Sequence, residues 1–205
     1  MKKLIGLATQ RKGTDWGALT ESIRAGAAYL SQGISYSYLR ARTLLAGPRL
    51  FQDRDFGFAL TICKWEAFGV AAQDLILMLE SELRGQLPDD PGRRAQVLRT
   101  LYREVLSSEQ VPEHRQGNGW SDLITAFDSR LEIYMRKPPL GPEGISIATA
   151  MAVLDNAPID DDVREADKMM VVNNTAFRFI EYQAKMRKAL DFPAITAELN
   201  TRMAA

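Results

Sequence analysis

The run from Phe56 to Leu79 constrains this chain more than any other stretch. Five of its twenty-four residues are polar, namely Thr61, Lys64, Glu66, Gln73 and Asp74, and at about 100° per residue the apolar remainder reaches every side of a helix. A helix apolar all round must be covered all round. Phe58, Trp65, Ala72, Ile76 and Leu83 line one face and Leu60, Phe68, Leu75 and Leu79 the other, so neighbours are needed on both sides. This predicts a single all-α domain over 1–205, a bundle of six to eight helices around a buried central helix at about 54–84. The run is long enough to cross a bilayer, but Lys64, Glu66 and Asp74 would lie near its middle, at roughly 2.5–3.5 kcal/mol for each Lys or Asp. No membrane span is expected.

The other elements follow from caps and stripes. Thr14 is a good N-cap for a first helix with Trp16, Leu19, Ile23, Ala27 and Leu30 inward, closed by Gly33. A short helix from about Ser37 places Tyr38, Ala41 and Leu45 inward and stops at Gly47–Pro48. Asp53 or Asp55 caps the central helix, with Gly69 as the place to bend and Gly85 at its end. Asp90–Pro91 is an N-cap and N1 pair opening a helix with Val97, Leu98, Leu101, Tyr102 and Val105 inward.

Residues 108–119 read as an exposed, mobile loop holding the single histidine, His114. A strongly amphipathic helix then runs from Trp120 to Arg136. Pro138, Pro139, Gly141, Pro142 and Gly144 predict a stiff non-helical connector at about 138–144. After a short helix carrying Ile147, Met151 and Leu154, a long one follows Asp160–Asp162, with Met169, Val172, Ala176, Phe179, Met186 and Leu190 expected inward. Beyond Pro193 a last segment presents Ile195, Leu199 and Met203, which either pack on the bundle or reach a partner. No repeat or sustained heptad pattern is evident.

Charge and composition exclude several classes. With 26 basic and 26 acidic residues the net charge is zero, so no overall field draws the chain to nucleic acid. One cysteine, Cys63, and one histidine cannot build the usual zinc or transition-metal sites. A lone cysteine in an apolar run, and a start whose apolar stretch is cut short by Thr9–Lys12, suggest a cytoplasmic protein. No phosphate loop or nucleophile elbow is present, and a triad would have to combine His114 with Ser107, Ser108 or Ser121 without a strand scaffold.

The informative residues are polar ones placed where the pattern wants apolar ones. Glu66, Gln73 and Glu80 recur every seven residues and share one seam of the central helix. That seam either meets solvent between neighbours or lines a pocket. Arg130 lies on the arc of Leu123, Phe127 and Tyr134, so its guanidinium must find a carboxylate, carbonyls or water. Lys64 points about 160° from Glu66, among Leu60, Ala67, Phe68 and Ala71. These five, with Ile195, Leu199 and Met203, are the candidate ligand or partner residues; no catalytic residue, metal or cofactor is expected. The preferred function is non-enzymatic protein binding, including self-association. The alternatives are a carrier of a small apolar or amphipathic ligand between helices, and a histidine-independent enzyme using Glu66, Lys64 or Arg130.

Overall fold

The computed structural model describes residues 12–43 and 47–205; residues 1–11 and 44–46, Leu45 among them, lie outside the described residues. The order is α1 (Trp16–Arg42), the single turn α2 (Gly47–Leu50), α3 (Arg54–Leu83), α4 (Pro91–Ser107), α5 (Ser121–Met135), the single turn α6 (Pro142–Ile145), α7 (Ile147–Asn156), α8 (Asp161–Ala189) and α9 (Phe192–Ala204). Among the described residues the fold is all-α. The nearest approach to a sheet is an isolated parallel bridge between Gly13 and Leu190, in which Gly13 N–H donates to the Ala189 carbonyl and Asp191 N–H to that of Gly13.

The central rod is α3, capped by Asp53, whose side chain accepts from Phe56 N–H. It runs unbroken through Gly69 to Leu83 and ends in a 3₁₀ turn at Arg84–Gln86. Every residue from Ala71 to Glu80 is buried, whereas Phe58 is exposed and Trp65 half-buried. Cover explains the gradient. Antiparallel α4 and parallel α5 meet α3 through Tyr102 and Leu123 at Gly69 and Gln73, and through Arg94 and Tyr134 at Glu80 and Ser81. The first turns of α3 lie beyond both. Opposite them, α1 and α7 cover Cys63, whose Sγ lies 3.5 Å from Ser35 Oγ and 3.6 Å from the Val153 carbonyl; burial pushes that thiol up.

Helix α1 departs from the sequence expectation. Its N-cap is Asp15, not Thr14, and it continues through Gly33 to Arg42 as one 27-residue helix instead of two. The glycines serve as seats for α8. A Cβ on Gly26 would lie 2.4 Å from the Tyr182 ring, and one on Gly33 would lie 2.9 Å from the Arg178 guanidinium. Both side chains are then tied down, Tyr182 Oη to the Ser22 carbonyl at 2.8 Å and Arg178 Nη2 to Ser37 Oγ at 2.8 Å. Helix-breaking tendency of about 1 kcal/mol per glycine is outweighed by this close antiparallel packing.

Two further expectations are corrected. The proline-rich connector contains a helical turn, because Pro142 sits at a first helical position where its missing N–H costs nothing. Segment 108–119 is mostly exposed, as expected, but anchored rather than loose: Pro112 and Arg115 are buried, and Glu113–Arg115 forms a 3₁₀ turn.

The C-terminal helix α9 resolves the alternative left open by sequence. Its Ile195, Leu199 and Met203 are all buried in the core, and Arg93 Nη1 donates to the Met203 carbonyl at 2.7 Å. These three residues hold the bundle together and are not a partner surface. Removing residues 194–205 is therefore expected to lower the denaturation midpoint and raise binding of a hydrophobic dye, while leaving any assembly mass per chain-equivalent unchanged in light scattering.

Candidate functional site

The polar seam of α3 is consumed by partners from neighbouring elements. Glu66 accepts from Arg115 Nε at 2.7 Å and pairs with its Nη2, and His114 Nε2 lies 2.8 Å from the same carboxylate. Arg115 also reaches Asp122 Oδ1 at 2.7 Å and holds that carboxyl below its ordinary range. Gln73 donates to Tyr102 Oη and to the Leu123 carbonyl at 3.0 and 3.1 Å. Glu80 accepts from Arg84 Nε and Nη2 at 2.7 and 2.8 Å, and Arg94 Nε stands 2.9 Å from it as a charge contact without an aligned hydrogen bond. The seam is a row of cross-links from α4, α5 and the 113–115 turn. Glu66, Gln73 and Glu80 are not among the residues that line the clefts at Lys64 and at Trp16.

Arg130 finds the carboxylate that its position demanded. Its Nη2 stands 2.5 Å from Oδ1 of Asp74, a charge contact off the hydrogen-bonding direction. The other oxygen, Oδ2, accepts from Thr149 N–H at 2.9 Å and Thr149 Oγ1 at 2.5 Å. Asp74 is fully buried, and burial raises its carboxyl against the opposing pull of Arg130 and Thr149. Asp74 is one of the five polar residues of the apolar run, and the sequence alone names no partner for it. The available signal was Arg130 itself, a cation on an apolar arc.

Lys64 lines a shallow cleft of about 180 Å³ with Ala28, Ser31, Gln32, Trp65, Phe68 and Glu109. The acid there is already taken, since Glu109 Oε1 accepts from Arg24 Nη1 at 2.6 Å. Lys64→Met is therefore expected to change stability by less than about 1 kcal/mol, measured by urea denaturation. A larger loss would reveal a carboxylate dependent on the ammonium. The other larger clefts are open to solvent too, including one of about 320 Å³ where Arg93 and Arg202 flank Trp16. Both arginines are engaged, Arg93 by the Met203 carbonyl and Arg202 by Glu198.

The surface the sequence did not foresee is on α8. Its buried stripe is Asp167, Val171, Thr175, Phe179 and Met186. Asp167 is held there by Tyr38 Oη at 3.1 Å and by Arg42. The opposite side carries exposed Met169 (66%), Met170 (46%), Phe177 (69%) and Ile180 (45%). Met169, expected inward, thus faces out. Ala166, Met170, Asn173, Phe177, Ile180 and Ala184 follow one another at alternating steps of four and three, the spacing of a helix-pairing seam. All six are exposed.

Among the described residues no helix is long and apolar enough to cross a membrane, and no cluster of three or more His, Cys, Asp or Glu could hold a metal ion. Compared with known proteins, the chain matches no protein-family model, no curated protein and no solved structure.

Proposed function

We propose that this protein acts by protein–protein contact, including contact with its own kind, and not by catalysis. The observation that carries the reading is the outward face of α8: two methionines, a phenylalanine and an isoleucine exposed along one helix side. Scattered apolar residues are normal on a surface, but a contiguous helical stripe marks a contact site. Supporting it, the polar groups that an enzyme or carrier would need, Glu66, Gln73, Glu80 and Arg130, are spent on structural partners. A surface stripe of Met and Phe on a rigid helix is suited to laying against another helix.

Light scattering with native mass spectrometry on the purified chain tests this. An assembly that Phe177→Glu disperses, with the far-ultraviolet helix signal retained, supports the reading. A monomer carrying a small molecule would favour a ligand carrier instead.

A further inference from the structure

We infer that the outward face of α8 takes a second copy of this chain, antiparallel, about a two-fold axis level with residue 175. The inference rests on the protein-contact reading above and adds the occupant, its direction and its register. The argument begins with charge. The start of α8 is net acidic, with Asp160, Asp161, Asp162 and Glu165 against Arg164 and Lys168, and its end is net basic, with Lys185, Arg187 and Lys188 against Glu181. Parallel pairing would set acid against acid and base against base and align the two helix dipoles. Antiparallel pairing reverses each of these.

Register follows from the seam. In a pair centred on 175, residues whose numbers sum to 350 stand level. Met170 then meets Ile180 of the second copy, Asn173 meets Phe177, and Ala166 meets Ala184, so that small residues face small ones at both ends. Asp162 comes level with Lys188. The helix itself spans Asp161–Ala189, so the same centre overlaps the two copies along their whole length of about 44 Å at about 1.5 Å per residue. A slip of one heptad toward the basic end would instead set apolar Met170 level with Arg187.

Cysteine cross-linking separates the outcomes, because the native Cys63 is buried and Ala166 and Ala184 are exposed. Full-length Ala166→Cys and Ala184→Cys variants are oxidised mildly, each alone and as an equimolar mixture, with assembly mass followed in parallel. The expected result is a covalent dimer in the mixture and none from either variant alone. Reversing the acidic end with Asp162→Lys is expected to weaken association at least about tenfold. Mixing that variant with Lys188→Glu is expected to restore it. Self-cross-linking of either single variant would overturn the antiparallel direction. A wild-type dimer that neither cross-links in the mixture nor responds to charge reversal would place the interface elsewhere, overturning this inference while leaving protein contact as the function. A wild type that stays monomeric at every concentration would overturn this inference together with the self-contact part of the reading.

Discussion

Arg130→Met is expected to lower the stability of the fold by about 3 to 5 kcal/mol, the cost of leaving a buried charge without its counter-ion. Asp74 has no exposed surface and cannot turn to water. Thr149 supplies its two hydrogen bonds to one oxygen only, and Arg130 faces the other. Asp74→Asn is expected to cost less, because Arg130 is partly exposed and can reach solvent when its partner is neutral. The double variant Asp74→Asn/Arg130→Met should recover much of the single-variant loss, which a double-mutant cycle in urea would measure.

The loss also has a pH signature. The Asp74 carboxyl is raised above its ordinary value of 3.8, chiefly by burial, with Arg130 the largest opposing influence. The folded state therefore binds this proton more readily than the unfolded chain. Its contribution is fully favourable below 3.8 and is lost as pH rises through the raised value. Without Arg130 the carboxyl rises further. The stability gap between wild type and Arg130→Met is therefore expected to be widest near neutral pH and to narrow in mild acid. A gap that stays constant across that range would mean that Asp74 and Arg130 are not coupled.

Glu80→Leu is expected to cost a similar 3 to 5 kcal/mol, for the opposite sign of stranded charge. Glu80 is buried between two guanidinium groups. Arg84 retains the Lys137 carbonyl at 2.6 Å and some access to water, but Arg94 is nearly buried and keeps only the Pro88 carbonyl at 2.9 Å. The added leucine methyls cannot offset an unpaired buried cation. Combining it with Arg94→Met should return most of the loss, since an apolar pair of similar volume removes the desolvation cost altogether. As a contrast, breaking the more exposed pair of Arg202 and Glu198 within α9 is expected to cost only about 0.3–0.5 kcal/mol. Equal effects at both sites would refute the burial argument.

Much of this architecture was legible in the chain because it rests on local rules. The extent of α3 follows from an apolar run too long and too evenly spread for a surface helix, and Asp53 caps it. Asp90 accepts from Arg93 N–H with Pro91 behind it, as the pair of residue types predicts. The inward set of α4, Val97, Leu98, Leu101, Tyr102 and Val105, is buried throughout. Arg130 announced a carboxylate by sitting where an apolar residue belonged. What could not be read was which carboxylate: Glu66, Asp74 and Glu80 all lie on α3, and choosing among them requires knowing how far α5 slides along it.

The helix faces and breaks decided by contact between distant segments were out of reach. Gly33 has the sequence character of a helix end, and only the presence of Arg178 over it, 145 positions later, makes it a seat inside a continuous helix. The face of α8 is the clearest case. By hydrophobicity alone the side bearing Met169, Met170, Phe177 and Ile180 is as suited to the core as the side bearing Asp167 and Thr175. Tyr38 and Arg42 of α1 decide otherwise by satisfying Asp167, while Gly26 and Gly33 admit Tyr182 and Arg178. Sequence by itself determined that this chain makes helices, roughly where, and around which rod. The tertiary structure decided which apolar surfaces are spent inside and which remain outside, because that choice is made by the partners each face can reach and not by the face alone.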